Sequence, residues 1–225
     1  MAAMTGVNQL VYVMIGCPGS GKGTFAQEIK KEGLEHISTG NIMREELDQK
    51  TEIGLQYEKE IKNHDPMPLP VIQKVVEQRL KKALQEKKGI ILDGFPRFKE
   101  QCEFLDNFIE KNHLRTVVVQ IEVDPQTAID RIAYRQMCDK CKQVFNLKYS
   151  PPKIADECDV CHAKLAKRVD DIVEVTTKRV HKFEQTMKDV IEYYSHSGKL
   201  KLLDGNGEIG DCVGRYLAFH LSQKV

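Results

Sequence analysis

Apolar residues in this chain gather in short, evenly hydrophobic runs separated by stretches in which they recur at helical spacing. Leu10 to Ile15 (LVYVMI), Gly89 to Leu92 (GIIL), Thr116 to Val123 (TVVVQIEV) and Lys199 to Leu203 (KLKLL) read as strands. The first three are too continuously apolar for a sheet with one wet face, so both faces are expected to be covered. A short fifth strand is expected at Leu34 to Ile37, and amphipathic helical stretches lie at Phe25 to Glu32, Val71 to Glu86, Gln101 to Lys111 and Val173 to Tyr194. Strands alternating with helices predict an α/β fold, a five-stranded parallel sheet flanked by crossover helices.

Two segments interrupt the alternation. His64 to Pro70 (HDPMPLP) is rich in proline and predicts no regular helix, and Gln136 to Lys167, with four cysteines and the pair Pro151 and Pro152, reads as an inserted subdomain. A chain of 225 residues that is 41% hydrophobic and 30% charged suits one globular body of one or two domains, not a disordered or fibrous one. Its 34 basic side chains nearly cancel 33 acidic ones, so no overall field draws nucleic acid or an anionic membrane, and any anion is bound by local clusters. No apolar run approaches the ~20 residues that cross a bilayer, and Met1 to Gln9 lacks the cationic start and apolar core of a secretory leader. A cytoplasmic location is expected, with neither membrane nor nucleic acid as partner.

Directly after the first strand stand Gly16-Cys17-Pro18-Gly19-Ser20-Gly21-Lys22-Gly23-Thr24, with a helical stretch behind them. A strand, a glycine-rich turn and a helix start bring backbone N–H groups, the positive helix end and one ammonium together, which is what a polyphosphate needs. A tight turn with a solvated lysine is the plainer alternative. Lys22 would meet the outer phosphates of a nucleoside triphosphate. The residue after that lysine, a hydroxyl in most such loops, is Gly23, with Thr24 one place on, so Mg²⁺ is expected to be held largely through water. Asp93, at the end of Gly89-Ile90-Ile91-Leu92-Asp93, is the candidate for orienting that metal or its waters, capping of the next turn being the alternative.

Cys138 and Cys141 form one CxxC pair and Cys158 and Cys161 another, sixteen residues apart. Four thiolates so spaced suit a tetrahedral, structural Zn²⁺ with no open position for a reactive water. Paired disulfides, bare thiols, iron, or His162 in place of Cys161 are the other readings. Cys17, Cys102 and Cys212 have no patterned partner and read as ordinary buried thiols. His64, His113, His181, His196 and His220 show no ligand spacing, and Tyr193 and Tyr194 read as packing residues.

Further motifs follow the loop in a set order: His36-Ile37-Ser38-Thr39-Gly40-Asn41-Ile42-Met43-Arg44, then Asp93-Gly94-Phe95-Pro96-Arg97, then Arg131 with Arg135, then Arg168-Val169-Asp170-Asp171 with Arg179. This series resembles the nucleoside monophosphate kinases, and over nearly its whole length the chain resembles the long-lid adenylate kinases. The resemblance implies a P-loop kinase core of residues 1–135 and 169–225, a helical acceptor-binding segment at 38–72 and a zinc-binding lid inserted at 136–168. It also implies a Mg²⁺-dependent transfer of the terminal phosphoryl group of ATP to AMP, giving two ADP. Thr39 and Gln101, with the Met67 backbone and Gly94, would meet AMP, and Arg44 and Arg97 would hold its phosphate. Gly19 to Thr24 would cradle the ATP phosphates, Arg131 would lie against the donor adenine and Arg135 would reach its phosphates. Asp204 to Gly207 would line the donor base through backbone groups, while Arg168 and Arg179 would clasp the transferring group and reach AMP. Lys22, Arg97, Arg135, Arg168 and Arg179 make up the implied catalytic set, and a monomer is expected.

Phosphoryl transfer through a loose transition state needs charges neutralised and oxygens aligned, which guanidinium forks do well. Arg131 and Arg135, four residues apart, are expected on one helical face, and Asp170 and Asp171 are placed to orient arginines or to accept from a donor ribose. Gln101 offers donor and acceptor together, matching an adenine edge, whereas uridylate and cytidylate kinases commonly carry an asparagine-bearing pattern and a short lid. Asn41, where the family often has aspartate, is expected to cap the next helix. Asp65 to Pro70 also departs from the family's usual glycine-lysine segment. A GTP:AMP phosphotransferase is the nearest rival; a silent nucleotide-binding protein and a zinc-ribbon nucleic-acid module are rivals of another class.

Overall fold

Evenly apolar runs form buried strands because neither face can be left wet. Leu10–Ile15 is β1, with Val11, Tyr12 and Val13 fully buried. Glu35–Ser38 is β2, Ile90–Asp93 is β3 and Arg115–Glu122 is β4. The computed structural model describes residues 9–63, 65–168 and 171–224; the readings of Met1 to Asn8, His64, Val169 and Asp170 lie outside the described residues. With Leu200–Asp204 as β8, the five strands form one parallel sheet in the order β2-β3-β1-β4-β8. Helices flank it, as alternation of the two periods requires.

The chain divides into two compact units. One comprises Met1–Met14, Gly33–Val119 and Met187–Lys201. In it β1 and β2 both pair with β3, with Met14 and Ser38 each in register with Asp93. The loops after β2 and β3 therefore leave side by side at the C-terminal edge, where open α/β sheets place ligands. Helix α2 (Thr39–Asp48) follows β2, then α3 (Glu52–Gln56) and α4 (Glu58–Asn63). Helix α5 (Leu69–Gln85) packs on β2 and on α6 (Lys99–Lys111). Its buried Ile72, Val75, Val76, Leu80 and Ala83 keep the three- and four-residue spacing of one helical face.

The other unit comprises Ile15–Glu32, Gln120–Thr186 and Leu202–Val225. Helix α1 (Lys22–Lys30) packs on α9 (Ile209–Ser222), where Phe25 and Tyr216 meet edge to face at 5.4 Å. Helix α7 (Pro125–Ala133) starts at Asp124, whose side chain accepts from the amides of Gln126 and Thr127. Strands β5 (Arg135–Cys138), β6 (Val144–Asn146) and β7 (Leu165–Ala166) form a separate antiparallel sheet, ordered β6-β5-β7. The long helix α8 (Val173–His196) begins in this unit and ends in the first.

Three expectations need correction. Arg131 and Arg135 do not share a helix: α7 stops at Ala133 and Arg135 opens β5, paired with Asn146 of β6. Strand pairing there satisfies backbone groups that one more helical turn would have had to satisfy alone. Residues 64–70 are not wholly irregular, since Leu69 and Pro70 form the first turn of α5, the one place where a helix tolerates the missing N–H of proline. Asn41 caps nothing. Thr39 and Gly40 are already helical, so Asn41 sits inside the first turn, where its Oδ1 accepts from Arg44 Nη2 at 2.7 Å.

At Gly54 of α3, a Cβ would lie 2.0 Å from the Glu46 carbonyl oxygen of α2. Backbone cannot yield as a side chain tip can, so the overpacking cost exceeds the roughly 1 kcal/mol that alanine gains in helix propensity. Gly54→Ala is expected to cost about 1–2 kcal/mol net, seen as a thermal midpoint lower by roughly 2–8 °C.

Candidate active site

The loop after β1 turns sharply and runs into α1. Gly19 has φ 83°, and a Cβ there would meet the Ala128 carbonyl oxygen of α7 at 2.2 Å, so glycine is required both by conformation and by contact. Lys22 folds back on its own loop, donating to the Gly16 and Cys17 carbonyls at 2.6 and 2.9 Å and to Ser20 Oγ at 3.4 Å. Ser20 is buried, and its amide donates to the Cys17 carbonyl at 3.1 Å. Gly21, Gly23 and Thr24 stand at the start of α1, where helix amides point outward unpaired. Cys17, Ala128, Ile129 and Val180 form the apolar floor beneath the loop. Burial pushes the Cys17 thiol up, against the pull of the Lys22 ammonium, so it remains protonated packing.

The same unit contains four of the candidate arginines. Arg131, in the last turn of α7, donates to the Gly207 carbonyl at 3.1 Å. Arg135 grips Asp171 with a fork, Nε to Oδ2 at 2.7 Å and Nη2 to Oδ1 at 2.5 Å, and the Asp171 side chain is fully buried while Arg135 is 18% exposed. Arg168 rests its Nε and Nη2 on the Met137 thioether at 3.2 and 3.0 Å. Arg179 is half-buried on α8.

The first unit gathers the other set. Thr39 is buried at the start of α2 and donates to the Asp93 carbonyl at 3.3 Å. Arg97 donates from Nε to the Gly94 carbonyl at 3.1 Å, and its backbone amide donates to Gln101 Oε1 at 2.7 Å. Gln101 is therefore a buried brace of the Asp93 to Arg97 turn. Arg97 is open to water yet densely surrounded by protein, which pulls its guanidinium pKa down while Asp93 pulls it up. Arg44 lies on α2 against Asn41, and Met67 is half-buried in the segment before α5. His36 Nε2 stands 3.6 Å from the Asp93 carboxylate. Sequence reading missed that neighbour and Met137, for neither shows a spacing; only strand register and side-chain packing bring them in. Asp171 did carry a signal, its place beside the arginine motif.

Each CxxC pair makes the same turn. Lys142 and His162, the residues after the second cysteines, take left-handed φ of 61° and 59°, and each donates its amide to the first cysteine's carbonyl at 2.9 Å. The four sulfurs lie within 4.8 Å of one another, with Cys138 to Cys161 at 3.4 Å and Cys141 to Cys158 at 3.5 Å. Tetrahedral Zn²⁺ with about 2.3 Å bonds sets sulfurs roughly 3.8 Å apart, so the set fits that ion. Burial alone would raise the Cys138 thiol, but the amides of Cys141 and Lys140 and the Cys161 thiol outweigh it and bring it down to about 7. Phe145 and Leu165, with the partly buried Ala163, add apolar packing to the cysteines here.

The profile of the adenylate kinase family matches residues 14–199. Over 201 residues the chain is 41% identical to an adenylate kinase of Caldanaerobacter subterraneus subsp. tengcongensis, covering 88% of this chain and 90% of the relative. An adenylate kinase of Thermosipho melanesiensis is 38% identical over 207 residues, 91% of this chain and 96% of its own. One of Thermococcus gammatolerans is 34% identical over 201 residues, 88% of each.

Removing one partner of a buried pair leaves a charge without compensation, whereas replacing both with apolar groups need not. Asp171→Ala is expected to lower unfolding stability by about 3 kcal/mol, and the double variant Arg135→Leu, Asp171→Leu by clearly less, as read from urea denaturation.

Proposed function

The chain belongs to the adenylate kinase family of nucleoside monophosphate phosphotransferases, and from that we propose that it moves the terminal phosphoryl group of ATP to AMP, yielding two ADP. The observation that supports this reading is that the candidate residues divide between the two compact units, the Gly16 to Thr24 loop with Arg131, Arg135, Arg168 and Arg179 in one, Thr39, Arg44 and Arg97 in the other. Two such sets suit two nucleotides, a donor and an acceptor.

In this reading amides of the glycine loop and Lys22 hold the donor's outer phosphates. Lys22 exchanges its loop carbonyls for phosphate oxygens, a stronger, charge-assisted partner. Arg97 and Arg44 hold the acceptor phosphate, with Thr39, Gly94, Met67 and Gln101 shaping the pocket for its base. Arg135, kept in one orientation by Asp171, and Arg168 and Arg179 neutralise charge on the group in transit. No covalent nucleophile is needed, because positioning and electrostatics carry most of the rate in this chemistry. Mg²⁺ would be held through water by Asp93, a hard oxygen ligand, and when bound it neutralises donor phosphate charge.

Residues 1–135 and 169–225 serve as the core in this reading, 38–72 as the acceptor segment and 136–168 as a lid. Zn²⁺, held by Cys138, Cys141, Cys158 and Cys161, gives the lid the rigidity that its few apolar residues do not supply. A rigid flap can exclude water that would otherwise take the phosphoryl group. Among the described residues no helix is long and apolar enough to cross a membrane.

A coupled ADP assay over four donors and four acceptors is expected to show ATP with AMP as the best pair; no ADP from that pair would overturn the proposal, and a better rate with GTP would favour the rival donor. Arg97→Ala should lower turnover about a hundred- to thousandfold, the effect of removing one positioned donor of charge stabilisation. Chelation of the metal should lower both melting temperature and turnover, with zinc released at one ion per chain.

A further inference from the structure

The turn that follows β8, Asp204 to Gly207, has all four of its carbonyls engaged by side chains. Arg215, on α9, donates from Nε to the Asp204 carbonyl at 3.0 Å and from Nη2 to the Asn206 carbonyl. Cys212, one helical turn earlier on the same face, places its thiol 3.3 Å from the Gly205 carbonyl and 3.4 Å from that of Asn206. Arg215 Nη2 also reaches that sulfur, at 3.3 Å. The fourth carbonyl, of Gly207, takes its bond from Arg131 at 3.1 Å, with the Cys212 thiol a long 4.0 Å away. Asn206 steadies the turn, accepting from the Asp124 amide and donating to Asp204 Oδ1, each at 2.9 Å.

These partners are not equivalent. Arg215 and Cys212 both stand on α9, and Arg215 holds two carbonyls at once. Arg131 belongs to the donor set proposed above, and a base that stacks on its guanidinium competes for its position. Gly207 then offers the one acceptor on the turn whose partner a nucleotide can exchange. A purine with an exocyclic amine can donate to that oxygen; one with a carbonyl at the same position sets two acceptors against each other.

We propose that Arg215 is a positioning residue for donor-base specificity: by holding the Asp204 and Asn206 carbonyls it leaves Gly207 as the turn's exchangeable acceptor and so selects an amino-purine donor over an oxo-purine. This rests on the reading of Arg131 and Gly207 as donor-site residues. Loss of Arg215 frees two further carbonyls and loosens the turn, so the choice between purines weakens while the phosphate chemistry, borne by other residues, continues.

The test is steady-state kinetics with ATP and inosine 5′-triphosphate as donors, which differ at the six-position, and AMP as acceptor. Wild type is expected to favour ATP by about tenfold or more in kcat/KM, on the scale of one positioned hydrogen bond and an avoided clash. Arg215→Ala should lose most of that preference through a raised KM for ATP, with kcat within about twofold and the KM for AMP unchanged. Arg215→Lys, which keeps the charge but only one of the two bonds at a time, should fall between. A preference unchanged in both variants overturns the assignment; if the alanine variant does not fold, the lysine variant decides alone. A wild type that takes both donors equally, or makes no ADP, overturns instead the donor-site reading beneath it.

Discussion

Backbone that passes close to other backbone has no room for side chains, and the loop after β1 is organised around that constraint. At Gly19 a Cβ would collide with the α7 backbone, so the loop lies directly on the helix that carries Arg131. Lys22 ties the same loop back on itself through two carbonyls. A strand buried on both faces feeds this loop and a helix starts where it ends, so the amides have few ways to turn. The close approach makes the loop rigid, and rigidity lets weak N–H dipoles act together on charge.

The arginines differ in the partners they rest on. Arg97 and Arg131 lie on backbone carbonyls, neutral acceptors whose net worth is about 1 kcal/mol. Arg168 lies on a thioether, weaker still as an acceptor. Arg135 is different: a fully buried carboxylate holds it by a fork. It is set in place by the fold.

The cysteine subdomain follows the same economy on a smaller scale. Its three short strands and a handful of apolar residues are too few to hold a fold, and the two knuckles make up the difference by repeating one turn. Left-handed backbone at Lys142 and His162 costs each residue about 1–2 kcal/mol. The strain brings four sulfurs within 4.8 Å of one another, an arrangement compatible with a metal ion.

Strands, the phosphate loop, the arginine motifs and the cysteine pairs were legible in the chain because each is a local pattern, either a period of burial or a spacing along one turn. Helix α9 was not read, and α2, α3 and α4 were expected only as one helical acceptor segment without bounds of their own, since short or mixed segments owe their form to packing as at Gly54 and Glu46. One local reading failed where strand pairing with a later segment intervened, at Arg135 beside Asn146, and another because α2 starts two residues before Asn41, which turns to Arg44 of the same helix. Residue identity alone settled which side chains are able to bind phosphate and metal. Which partner each keeps, Asp171 for Arg135, Met137 for Arg168, His36 for Asp93, Arg215 for the turn after β8, was decided only by the tertiary structure. Such contacts join residues far apart in sequence, and no periodicity along the chain encodes a distance through space.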